Sequence, residues 1–166
     1  ANIEEGNLYN IWDTMTFPVS YQVKYVRDFL LSEGSRYTEL VPNAELVTPN
    51  KAGDPYGYRG WAFASATEKR DLILGYVERD CPRAAVRGLR PYEKYDFKWF
   101  DPCDGTWSES TKLSVSAVGM IHLPEYPGRQ DWAFKLKKIQ EPYRIDTSEN
   151  PKSSLEEYRR QKVRKG

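Results

Sequence analysis

The sequence predicts a mostly β protein: an antiparallel β-sandwich with an N-terminal helix and a C-terminal helical tail. Three observations carry this. Several short segments alternate apolar and polar residues with a period of 2, the signature of half-buried strands. Turn-forming clusters rich in Gly, Pro, Asp and Asn separate them at short intervals. No helical pattern of about 10–15 residues lies between them, which argues against βαβ units, and helical spacing is confined to the two ends. On this reading residues 1–42 are an irregular segment and a connecting helix, 43–142 the sandwich, and 143–166 the tail.

Taken in order, residues 1–16 carry no periodic signal. Residues 18–33 read as a helix, with Pro18 suited to its first turn and Gly34 to the position just past its end. Val19, Val23, Val26 and Leu30, joined by Phe29, recur at helical spacing and require a surface to pack on. Residues 36–42 are a connector, with a turn at Leu40-Val41-Pro42-Asn43. Trp61, Phe63 and Ser65 share one face of the first long strand, with Ala62, Ala64 and Ala66 between them. The continuous apolar run 72–78 suits a central strand covered on both sides. A short strand covers 84–89. Tyr95, Phe97 and Trp99 alternate with Asp96 and Lys98, and Leu113, Val115 and Ala117 mark another strand. In the last strand Trp132, Phe134 and Leu136 oppose Lys135 and Lys137. Asn150-Pro151 marks a boundary. Ser153 with Glu156 and Ser154 with Glu157 have capping-box spacing, so 152–164 reads as a charged helix.

Composition narrows the classes of function. The 166-residue chain is 39% apolar and 14% aromatic, enough for a core, because each aromatic side chain buries a large area. Its net charge of +1 gives no argument for nucleic acid, a membrane or an acidic substrate. No stretch approaches the roughly 20 apolar residues of a membrane helix, and residues 1–6 lack the basic and apolar regions of a signal peptide. Cys81 and Cys103 match no metal-ligand spacing; they are either free thiols or one disulfide. No metal or cofactor is expected.

Few residues offer chemistry. His122 is the only histidine; set among apolar neighbours, it reads as a partly buried structural residue. Glu78 with Asp80, and Asp101 with Asp104, would be the paired carboxylates of glycosidase chemistry, but all four sit where ordinary turns sit. Asp101, Pro102 and Gly105 form a structural turn: the carboxylate accepts backbone N–H groups, Pro presets φ, and Gly tolerates positive φ. Glycines 53, 57 and 60 lack the Lys-Ser/Thr of a phosphate loop. Tyr56 and Tyr58 in that tyrosine-rich loop could join Trp61 in a platform for a sugar ring; alternatively Trp61 lies in the core. The tail cations Arg159, Arg160, Lys162, Arg164 and Lys165 read as a solvated helix end.

Three stretches stand out together: 60–79, 95–107 and 131–138. Their ordered set resembles the C-terminal β-sandwich of the apiosidase-like glycoside hydrolases, a domain often labelled collagen-binding domain of a collagenase. Trp99-Phe100-Asp101-Pro102 followed by Gly105 is similar to that family's turn. Leu74-Gly75-Tyr76-Val77 resembles its central strand, and Asp131-Trp132 the start of its last strand. Residues 27–43 are similar to the helix and connector that lead out of its catalytic barrel. Cys103-Asp104 departs from the Arg-Thr common there, and 143–166 extend past the usual end.

The resemblance implies a non-catalytic accessory domain that packs on a catalytic (β/α)8 barrel, in the same chain or a partner. It supplies no catalytic residue, because the matched stretches contain none of the barrel's carboxylates. The alternative is an independent carbohydrate-binding module acting on a polysaccharide through exposed aromatics such as Tyr56, Tyr58, Trp107 and Tyr126. A collagen- or protein-binding module and a small enzyme are the remaining classes. One histidine and no nucleophile motif argue against the last.

Overall fold

The structure, a computed structural model, describes residues 18–50 and 60–140. The tail helix expected over 152–164, and Tyr56 and Tyr58, lie outside the described residues. Helix α1 (Pro18–Leu30) opens the described chain, and a 3₁₀ segment follows (Leu31–Glu39). Strands β1 (Val41–Pro42) and β2 (Val47–Thr48) flank a second 3₁₀ turn (Ala44–Leu46). The longer strands are β3 (Ala62–Ala66), β4 (Leu72–Val77), β5 (Ala85–Arg87), β6 (Lys94–Phe100), β7 (Thr111–Ser114), β8 (Met120–His122) and β9 (Trp132–Lys138).

These strands form two antiparallel sheets. One has six strands in the order β1-β3-β4-β9-β6-β7; the other has three, β2-β5-β8. The sandwich predicted from alternation is therefore present. β4 takes the interior position expected of an unbroken apolar run, paired by β3 and β9.

Register explains how the core fills. Ala64, Gly75, Phe134 and Trp99 lie side by side across four strands. The two small residues make room for the two rings. A Cβ on Gly75 would come within 2.1 Å of Phe134 Cζ, so the Phe134 ring lies over the glycine. The next row is Ala66, Ile73, Leu136 and Phe97. From the smaller sheet Val47, Val86 and Ile121 stand in register and point into the same core. Phe97 meets Trp99 edge-on at 4.8 Å, a preferred aromatic geometry.

Several expectations change. The sequence left open which side of β3 points inward; the alanines do and Phe63 faces outward, with Phe134 and Trp99 filling the space beside Ala64 in the same row. The helix ends at Leu30 rather than residue 33, and the chain tightens into the 3₁₀ segment, kinked at Gly34 with φ 63°. The connector holds a strand: Val41–Pro42 pairs with Ala66 and Ser65. Asn43 then caps the second 3₁₀ turn by accepting the Glu45 N–H at 3.1 Å. Ala117 is exposed and outside β7.

Candidate functional site

The outer face of the six-stranded sheet carries α1, and two side chains on one side of the helix meet it. Tyr25 packs so closely on Gly105 that a Cβ there would lie 2.3 Å from the Tyr25 ring. Phe29 rests on Phe100 and Trp107, with ring centroids 5.2 and 5.7 Å away. Gln22 lies half-buried one turn earlier. The turn at 101–105 presents this seat. Asp101 Oδ1 accepts the Cys103 N–H at 2.8 Å, the Gly105 N–H donates to the Asp101 carbonyl at 2.8 Å, and Gly105 has φ 77°.

Two ionic latches hold the 3₁₀ segment down. Glu33 accepts from Lys135 at 2.8 Å and from Lys137 at 2.7 Å, both on the outer face of β9. Arg36 donates to both oxygens of Asp71, at 3.0 and 2.9 Å, while Thr67 Oγ1 donates to the same carboxylate at 2.6 Å. Burial pushes the Glu33 carboxyl up, but the hydrogen bonds and charges of the two lysines outweigh it and hold its pKa below the ordinary value. The Thr67 hydroxyl, then Arg36, lower that of Asp71 against the effect of burial.

With its inner side committed, α1 turns its apolar stripe outward. Val23 is 65% exposed and Val26 56%, with Leu30 also open to solvent. The exposure continues through Leu31, Tyr37 and Phe63. Six of the nine exposed large apolar side chains among the described residues lie on this path; the others are Tyr92, Val118 and Val41, which is in register with the inward Ala66. Leu30, Tyr37 and Phe63 also line a groove of about 430 Å³, whose floor includes Leu74 of β4. The stripe was legible in the sequence. Phe29, read from the sequence as part of the stripe, instead joins Tyr25 in the seat, because it packs on Phe100 and Trp107; the i, i+3, i+7 spacing of Gln22, Tyr25 and Phe29 marks this second helix face.

The other predicted residues are placed as follows. Trp107 is half-buried, packed by Phe29 and Phe100, with Lys135 Nζ 4.5 Å from its ring centroid. Tyr126 donates its hydroxyl to the Pro82 carbonyl at 2.9 Å and accepts the Ala84 N–H at 3.0 Å. Its ring lies 5.4 Å from Trp99. Trp61 is buried. His122 is exposed rather than partly buried, because its neighbour Ile121 takes the inward position on β8. Glu78 accepts the Trp61 N–H at 3.0 Å. Asp131, singled out in the sequence only as the start of the last strand in the family resemblance, accepts the Arg79 N–H at 2.7 Å and the Tyr76 hydroxyl. Both cysteines are free thiols, Cys81 buried and Cys103 exposed. Among the described residues no group of three His, Cys, Asp or Glu could hold a metal ion.

The fold is thus an antiparallel sandwich with a helix docked on its outer face and an apolar surface open beyond it. Among solved structures the chain is similar to a glycoside hydrolase at 19% identity and TM-score 0.57, over 83% of this chain and 29% of that one. It is also similar to a glycoside hydrolase family 5 protein from Bacteroides vulgatus ATCC 8482, at 19% identity and TM-score 0.56, over 78% and 26%. At this identity the likeness is one of fold. The chain spans less than a third of the length of either protein. No family model and no curated protein matches the chain.

Proposed function

We propose that this chain is a non-catalytic accessory β-sandwich of a glycoside hydrolase, of the apiosidase-like kind. It packs on a catalytic (β/α)8 barrel, in the same chain or a partner, and supports it. The exposed apolar path from Val23 to Phe63 is the observation that carries this reading. Soluble domains rarely leave such a run of large apolar side chains uncovered, and polar groups rim it here, including the Lys24–Asp28 ion pair at 3.1 Å. The fold likeness to a fraction of two glycoside hydrolases supports the same partner.

The test is a double substitution, Val26→Glu with Leu30→Glu, in the polypeptide or complex that contains the barrel. Both side chains are exposed in the chain alone, so the isolated chain should melt as before. The assembly should lose about 2 kcal/mol or more, because two charges would face an apolar partner surface. An unchanged melting temperature and unchanged glycosidase half-life in the assembly would refute the reading. The purified chain by itself should release no sugar from aryl glycosides.

A further inference from the structure

A second feature lies away from the apolar path, at the end of the sandwich where β4 finishes and β9 begins. Two depressions of about 840 and 580 Å³ meet there and share Glu78, Asp80, Arg129 and Gln130. We propose that this trough binds a neutral oligosaccharide.

Its acceptors are held rigidly by the fold. The Trp61 N–H fixes the Glu78 carboxylate at 3.0 Å, and the Arg79 N–H with the Tyr76 hydroxyl fixes that of Asp131. Gln130 is oriented by donating to Asp101 at 2.5 Å. Of its guanidinium donors, Arg79 makes a long ion pair with Asp80 and Arg129 makes none among the described residues. The exposed Arg79 guanidinium lies 3.8 Å from Asp80, too far for a hydrogen bond. Arg129 is exposed and makes no hydrogen bond or ion pair among the described residues.

The balance of these groups selects the ligand class. Arg79 and Arg129 face Glu78, Asp80 and Asp131, so the trough has no cationic excess to hold a phosphate or a polyanion. Fixed acceptors beside planar, exposed guanidinium donors suit a ligand that offers hydroxyls as both partners at close spacing. Tyr126 lines one half and Tyr76 the other. The combined volume accommodates several sugar rings rather than one.

Calorimetric titration of the 166-residue chain with cellohexaose, xylohexaose, mannohexaose and a hexameric galacturonan tests this. Binding to at least one neutral hexamer is expected. Arg79→Ala with Arg129→Ala should weaken it about tenfold or more, the loss of hydrogen bonds from charged donors. The melting temperature should not move, since both side chains are exposed. Absence of binding to every neutral hexamer, binding only to the galacturonan, or full affinity in the double variant would each overturn the proposal. Val26→Glu with Leu30→Glu should leave sugar binding intact, so failure here and failure of barrel docking are read separately.

Discussion

Gly75 shows how one residue sets the sandwich. It sits in β4 with φ in the ordinary extended range, so its value is space rather than conformational freedom. The Phe134 ring occupies the place a side chain would take, and Phe134 is fully buried between Phe97 and Trp99. Gly75→Ala should therefore destabilise the chain by about 1–3 kcal/mol, the usual range for overpacking a filled core. Denaturant unfolding measures it. An unchanged midpoint would mean that Phe134 is free to move aside. Gly105 combines both constraints, positive φ and the Tyr25 ring at 2.3 Å from an added Cβ. At this scale the sequence was only partly readable. Tyr95, Phe97 and Trp99 were legible as core because Asp96 and Lys98 separate them. The inward side of β3 was not, because Phe63 looks more core-like than alanine until Phe134 and Trp99 are known to fill the space beside Ala64 in the same row.

Elements differ in how they are held. The long strands are fixed by register and a shared core. The 3₁₀ segment has no buried residue of its own and relies on Glu33 and Arg36. Short elements were invisible in the sequence for a related reason: β1 and β2 have two residues each, too few for a period, and exist because β3 and β5 offer them an edge. The Glu33 latch makes a pH prediction. Its pKa in the folded chain lies below the ordinary 4.5, so its contribution is complete above that value and is lost as pH falls through the lower, folded one. Asp71 behaves alike from its ordinary 3.8. Glu33→Gln should cost about 1 kcal/mol at neutral pH, modest because Lys137 is half exposed. That deficit should close as the solution is acidified and the native carboxyl becomes neutral too. Melting curves of both proteins across the acid range decide it; a gap that persisted at low pH would place the effect in packing rather than charge.

For the molecule as a whole, the apolar path has a consequence that can be measured without any partner. The helix stripe at Val23, Val26 and Leu30 could be read from spacing, but whether it faced the sandwich or the solvent depended on Tyr25 and Phe29 finding a seat at Gly105, Phe100 and Trp107. Those residues are about 75 positions apart in the chain, beyond the reach of any local pattern. Once that seat is taken, the stripe has nothing of the described chain to cover it. An isolated chain should then cover it with a second copy at high concentration, weakly, because a surface shaped for another partner gains area without complementarity. Sedimentation velocity should show an average mass rising above the monomer value, with a dissociation constant weaker than about 1 μM. Val26→Glu with Leu30→Glu should return the chain to monomer at every concentration, and should do so without lowering its melting temperature. Association that persisted in this variant would move the sticky surface to Val41, Tyr92 or Val118, the exposed apolar side chains of the described residues off the path, and would remove the main support for a covered helix.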